Sequence, residues 1–405
     1  MTFPARFSAF ILAASLAAAA PAQSGDWPAA DAPPAALASL FPNSATVQRR
    51  LLAAAHEARD AAAVQAGLNR LAALGYSPTE ATLGLLALYL PEAELTALRL
   101  RFNSNQSRVQ ASILASRVPA EFSLIEGVAW DSESRRLFAT SVVGRALLQY
   151  DGARWRRVAL ENTGSLSGLA LDPRRGGVNH LLWVASGVFE QTPSPEGAFR
   201  GLIGVDIRTL REVRRIAAPE GASPSDIAID GLGTLYASDP LSGAVYRARR
   251  GEAALSVLIP PGRLASPQGL APTANGRWLY ISDYGRGIAL LDQWNNILTR
   301  VGADAATMLD GIDGLAWFRG GLIAIQNGTR PHRILLLRLS ADGHRIASVR
   351  VLESDHEEWG EPTLGAVRGN AFLYVADAQW ERYGPGGGRR DAEPPRPTAI
   401  RLLRP

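Results

Sequence analysis

The 405-residue chain contains no cysteine and no lysine. Without cysteine there is no disulfide, no thiolate nucleophile, no thiolate-ligated zinc and no lipid anchor. Without lysine there is no Schiff-base chemistry and no phosphate-loop ammonium. All 42 basic residues are therefore arginine, and they are scattered rather than gathered into a stripe with aromatics. The formal charge of +4 thus describes a solvated surface and not a nucleic-acid interface. Histidine is scarce: His56, His180, His332, His344 and His356 are the full set. No Gly-x-Ser-x-Gly elbow, His-Glu-x-x-His pair or dinucleotide fingerprint appears, so serine-hydrolase, zincin and Rossmann readings have no support. Long apolar runs are missing beyond the N-terminus. The stretch from Ala81 to Leu100 is broken by Pro91, Glu92 and Glu94, so no membrane anchor is expected.

What is present divides the chain in four. Residues 1–22 read as a signal peptide: Arg6, an apolar run from Phe7 to Ala20, and Ala20-Pro21-Ala22 as a small-residue cleavage site. This predicts export, to the periplasm or beyond. Residues 23–35, rich in Ala, Pro and Asp, read as a disordered linker. Residues 36–117 carry Ala and Leu at three- and four-residue spacing and predict helices. The pair Asp60–Leu74 and Pro78–Tyr89 reads as a helical hairpin of tetratricopeptide type. A single such unit cannot bury both faces, so this region should pack on the remaining domain or contact a protein partner.

From residue 118 to 405 the chain repeats. Six segments share an apolar strand, a Gly/Asp/Asn turn and a second apolar strand ending in small polar residues. They begin at Glu126 (EGVAWDSESRRLFATS), Ser167, Ser225 (SDIAIDGLGTLYASD), Gln268, Asp313 (DGLAWFRGGLIAIQN) and Thr363. Their spacing of about 40–60 residues suits blades of four short antiparallel strands. The apolar period is two, which excludes helices, and no helical crossovers separate the strands, which excludes a parallel α/β sheet. The fold class is therefore mainly β: a six-bladed β-propeller preceded by a small helical region. Either the C-terminal TAIRLLRP or the segment before Glu126 should close the ring, because closure removes exposed strand edges.

In such a ring the starts of the first strands and the ends of the second strands share one face, the top. Polar residues hold all six starts. The longest interruptions, Gly187–Gly201 and Ala378–Pro397, also project there. Long loops on one face of a rigid scaffold mark a binding face. Asn327, His332, Gln379 and Trp380 are the candidate substrate contacts on it. Asp239 and Asp283, each before a glycine turn, are expected to cap turns.

On these residues the chain resembles the gluconolactonase and senescence-marker-protein (regucalcin) family of six-bladed propellers. That family holds a divalent cation, commonly Ca²⁺ or Zn²⁺, in the channel, and many members hydrolyse sugar lactones or related esters. The resemblance implies Glu126 in EGVAW and Asp313 in DGLAW as ligands. Ser225 and Gln268 stand where the family has asparagine. Both still offer oxygen, but affinity should fall or the metal be absent altogether. With a cation, Asp226 or Asp313 would be the general base. Two functions follow from different classes: an exported lactone or ester hydrolase at the top of the channel, or a non-catalytic propeller binding a small molecule, glycan or protein there.

Overall fold

The computed structural model describes residues 23–24, 26–173, 180–304 and 306–405. The expected signal peptide lies outside them. Among the described residues no helix is long and apolar enough to cross a membrane.

Six antiparallel four-stranded sheets form the blades, one of them extended by a short parallel strand at Gln23–Ser24. Their inner strands are Ile125–Asp131, Ser165–Leu171, Ile227–Ile229, Pro267–Pro272, Ile312–Phe318 and Gly365–Arg368, for blades 1 to 6. Within each blade the order along the sheet follows the chain, except in blade 6. There the fourth strand is Ile113–Val118, antiparallel to the C-terminal strand Thr398–Leu403. Both expected closing segments thus meet each other. The propeller accordingly starts at Ile113, a few residues inside what the sequence assigns to the helical region.

Apolar cores lie between neighbouring blades. Phe138, Leu147, Leu182 and Ile203 join blades 1 and 2, and Leu290, Ile312, Leu322 and Leu337 join blades 4 and 5. Alternation buries one set of side chains on each face of a strand, so both faces of every sheet must be apolar. Near the axis the inner strands of blades 1, 2, 4 and 5 converge until no side chain fits. A Cβ at Gly127 would stand 2.4 Å from the carbonyl oxygen of Ser167, and one at Gly269 2.4 Å from the backbone nitrogen of Leu315. The recurring glycine after the polar start residue is therefore a packing requirement.

The helices are α1 (Pro34–Leu40), α2 (Ala45–Glu57), α3 (Ala61–Ala73), α4 (Glu80–Leu86) and α5 (Glu92–Asn105). Ser44, Asp60 and Thr79 cap α2, α3 and α4 by accepting the N–H three residues on. The expected hairpin is rearranged: α3 packs chiefly on α2 and α5 rather than on α4. Gly75, with φ +80°, ends α3 in the left-handed region, and a longer connection then leads to α4.

The helical region sits on the top face over blades 4 and 5. The Asp310 carboxylate accepts from the backbone N–H of Ala45 (3.0 Å) and of Thr46 (2.7 Å), the first turn of α2. Ser44 Oγ donates to the Gly285 carbonyl, and the Ser77 N–H donates to the Arg330 carbonyl. Met308, from blade 5's approach loop, is buried in the helical core with Leu68, Leu71 and Phe102. The segment read as a disordered linker is also fixed here. Trp27 is 2% exposed in the core of blade 4, and Arg286 donates to the carbonyls of Pro28, Ala29 and Ala30. Burial of one large indole outweighs the Ala/Pro composition around it.

Candidate active site

The top of the channel opens into a cavity of about 440 Å³. Glu126 enters from the start of blade 1, Ser225 from blade 3, Gln268 from blade 4 and Asp313 from blade 5. Asn327, at the end of blade 5's second strand, and Trp380, on the blade 6 loop, join them. Residues far apart along the chain are thus neighbours, as the ring requires. The two remaining polar starts stitch the ring together: Ser167 Oγ donates to the Ser225 carbonyl (2.7 Å) and Thr363 Oγ1 to the Glu126 carbonyl (3.1 Å).

Two expected contacts are placed elsewhere. His332 lines a separate small hollow with Gln106 and Asp355, and its Nδ1 lies 3.0 Å from the Gly360 carbonyl. Gln379 is buried, donating to the Arg396 carbonyl and accepting from Arg382. It has φ +66°, and it anchors the blade 6 loop beneath Trp380. Asp226 is absent from the cavity lining but lies close below it. It occupies the position where blades 1, 2, 4 and 5 have the axial glycine, with its carboxylate buried and accepting from the N–H groups of Ile227 and Leu270. Asp239 caps its turn as expected, accepting from Leu241 and Ser242, whereas the Asp283 carboxylate reaches back to accept from Ala265 and Ser266, ahead of blade 4's inner strand.

Sequence reasoning missed Glu361, Tyr284 and Phe189, the aromatic partner of Trp380. Glu361 lies two residues before the start of blade 6, and Tyr284 directly follows the Ser-Asp that ends blade 4's second strand. The blade 2 and blade 6 loops touch above blade 1: the Gly386 N–H donates to the Glu190 carbonyl (2.8 Å), and Phe189 meets Trp380 edge-on at 6.5 Å. Arg382 braces the blade 6 loop with hydrogen bonds to Asp391 and to the carbonyls of Glu393 and Pro394. With the helical region over blades 4 and 5, the open approach passes above blade 3, over Pro240 and Leu241.

Glu126, Asp313 and Glu361 line this cavity, and Asp226 lies beside it. Burial, then the charge on Asp313, holds Glu126 well above the usual glutamate range, against an opposing hydrogen bond from Trp380 Nε1 to Oε2 (2.7 Å). Burial pushes Asp226 up to about 7, opposed by the Ile227 N–H and reinforced by Asp313. Burial raises Asp313 to about 6, opposed by Asn327 Nδ2, which donates to Oδ2 at 2.8 Å. Burial and the charge on Asp313 raise Glu361 to about 7. The cause is common to all four: removing a carboxylate from water without a cation beside it favours the neutral acid.

These raised values set the sign of a stability change. A buried acid with a raised pKa holds its proton in the folded state and loses it more readily when unfolded. Its contribution is full below about pH 4 and is lost as pH climbs through about 7. Asp226→Asn removes this loss at one of the buried carboxyls. The variant is expected to match the wild type at pH 5 and to exceed it at pH 8 by on the order of 2 kcal/mol. That is half of what three pKa units would give, because an amide accepts less strongly from Ile227 and Leu270. Urea denaturation at both pH values checks this.

The divalent cation implied by the family can be tested against the residues. The donors are all oxygen, a set that suits Ca²⁺ better than Zn²⁺, whose sites combine carboxylate oxygen with nitrogen or sulfur. Their arrangement does not suit a cation. Trp380 Nε1 takes one oxygen of Glu126, and Asn327 turns its amide nitrogen toward Asp313. The Asn327 orientation is fixed, since Nδ2 also donates to the Pro362 carbonyl (2.9 Å) while Oδ1 accepts from Tyr284 (2.8 Å). Among the described residues no three Asp, Glu, His or Cys side chains form a metal-holding group. Glu126, Ser225, Gln268 and Asp313 therefore share a cavity without forming a metal centre, and no chemistry is routed through one.

No family model matches the sequence, and no curated protein does. Solved structures similar in fold include a gluconolactonase from Xanthomonas campestris, at 16% identity over 74% of this chain and 98% of that one, TM-score 0.46. A calcium-binding regucalcin from Agrobacterium tumefaciens aligns at 16% identity over 72% of this chain and 93% of that one, TM-score 0.46. A PQQ-bound aldose sugar dehydrogenase from Streptomyces coelicolor aligns as well, at 16% identity over 74% of this chain and 99% of that one, TM-score 0.47. Proteins with different reactions are thus equally similar, and the likeness is one of fold.

Proposed function

We propose that the chain hydrolyses a small lactone or ester in the top cavity by paired acid and base catalysis. One observation carries the reading: Asp313 and Glu361 line the same cavity, and their carboxyls are both raised, to about 6 and about 7. Near pH 6.5 one carboxyl can be ionised while the other keeps its proton, the division of labour that acid–base hydrolysis needs.

In this scheme water is the nucleophile. Ionised Asp313 takes its proton as the oxygen bonds to the carbonyl carbon. The developing oxyanion takes hydrogen bonds from the Ser225 hydroxyl and the Gln268 amide, which line the same space. Glu361 then protonates the ester oxygen as its bond to that carbon breaks, giving a hydroxy acid or an acid and an alcohol. Transfer of a proton from Asp313 to Glu361 restores both groups. Asp226, below the cavity wall, raises the local negative charge but does not reach the reacting atoms, so Asp313 is the base. Trp380, Phe189 and Tyr284 supply faces and edges for an apolar or sugar ring.

A panel of γ- and δ-lactones and short aryl esters tests this. The wild type should turn over at least one member. Glu361→Gln should lower kcat by about 10²-fold with KM little changed, and should abolish the alkaline limb of the pH profile near 7. No turnover across the panel, with saturable binding of a lactone, would replace this reading by the non-catalytic one.

A further inference from the structure

A second cavity lies on the opposite, bottom face. Bottom turns connect first to second and third to fourth strands, and those of blades 4 and 5 (residues 273–277, 293–296 and 340–345) converge here. The groove between them has a volume of about 530 Å³ and is lined by Arg277, Trp278, Asp292, Thr299, Asp342 and His344, among others. The top-face reading uses none of these residues.

The groove's polar groups are held in place rather than loosely solvated. Arg277 is clamped between two indoles, its guanidinium 4.4 Å from the Trp278 ring centre and 4.7 Å from that of Trp294. Its Nε is buried and has no hydrogen-bond partner. Asp292 accepts from the Trp294 N–H (3.0 Å) and the Asn295 amide (2.7 Å), and Asp342 from Ser340 Oγ (2.6 Å) and the His344 N–H (3.1 Å). These donors keep both carboxylates ionised, with pKa values below the usual aspartate range. The blade 5 turn is itself pinned to blade 4, with Tyr280 Oη donating to the Gly343 carbonyl (3.0 Å), and the His344 ring meets Trp278 edge-on at 5.1 Å.

We propose that this groove is a binding site for a neutral saccharide. Sugars present two complementary surfaces: a C–H face that packs on an indole, and adjacent hydroxyls that donate in pairs to a carboxylate. Trp278 and the exposed carboxylate of Asp342 supply both, with His344 and Thr299 as further hydrogen-bonding groups, while Asp292, already taken by Trp294, Asn295 and Arg277, holds Arg277 in place. Asp292 is already balanced by Arg277 Nη2 at 3.5 Å, so the exposed carboxylate of Asp342 is the charge that disfavours uronic acids and phosphosugars.

The test titrates the full-length protein with cello-, malto-, xylo- and chito-oligosaccharides and an oligogalacturonate. Tryptophan fluorescence and ligand-observed NMR give the readouts. At least one neutral member should bind with a Kd of about 1 mM or tighter, and the oligogalacturonate should bind at least tenfold more weakly. Asp342→Asn and Trp294→Ala change exposed residues and should each weaken binding about tenfold, with lactone turnover unchanged. The proposal is overturned if no neutral member binds, if the uronate binds more tightly, if both variants bind as the wild type does, or if Asp313→Asn, at the other face, abolishes binding.

Discussion

Asp313→Asn is expected to lower kcat/KM on any lactone or ester the protein hydrolyses by about 10²- to 10⁴-fold, the usual value of a positioned base. The amide has the same shape and can still accept from Asn327 Nδ2, so the packing at the channel mouth survives and the loss reports on proton transfer. The pH profile makes the assignment specific. In the wild type activity should rise as pH climbs through about 6, where Asp313 gives up its proton, and fall above about 7, where Glu361 loses the proton it must donate. In the variant the acid limb near 6 disappears. Steady-state rates between pH 4.5 and 9 decide it. A variant that keeps the wild-type acid limb would show that another group, with Asp226 the nearest, is the base.

The second large effect is structural. Asp310→Ala removes the carboxylate that receives the first turn of α2. It leaves the Ala45 and Thr46 N–H groups without partners at a helix end where no backbone acceptor exists. Each stranded buried donor costs about 1–3 kcal/mol. Arg333 loses as well: burial already lowers its pKa to about 10, and Asp310 is the charge that opposes this. A destabilisation of about 3–5 kcal/mol is expected, read as a lowered urea midpoint with early proteolysis within residues 34–105. Asp310→Asn, which keeps one acceptor, should recover part of it. An Asp310→Ala variant within about 1 kcal/mol of wild type would mean the helical region is held by its apolar contacts alone.

The ring was legible in the sequence for a physical reason. Each blade needs a polar residue at the channel mouth and a period-two apolar run, and blades 1, 2, 4 and 5 add an axial glycine where neighbouring inner strands touch. Pairs such as Glu126-Gly127 and Asp313-Gly314 record all three. The same register placed Glu126, Ser225, Gln268 and Asp313 in one cavity before any coordinates. Glu361 was not legible because it precedes the repeat, in a Gly-Glu-Pro-Thr segment that reads as a turn. Tyr284 was hidden by its Ser-Asp neighbours, which resemble turn caps. His332 and Gln379 were placed from loop membership, which fixes the face a residue occupies but not the direction of its side chain. Asp226 stands out through the motif that the family resemblance supplies, while its peculiarity in the fold is that it replaces an axial glycine. The docking of α2 had no local signal, since Asp310 belongs to a loop that any propeller could carry.

The bond between Asp310 and the start of α2 spans 265 positions of chain. During synthesis the helices leave the ribosome first, and the surface that receives them is translated only when blades 4 and 5 have been made. Ile113–Val118 waits longer still, until Thr398–Leu403 is released. The nascent chain therefore carries an uncovered apolar helical face and an unpaired strand edge for most of its elongation, the combination that chaperones recognise and that seeds aggregation when they are scarce.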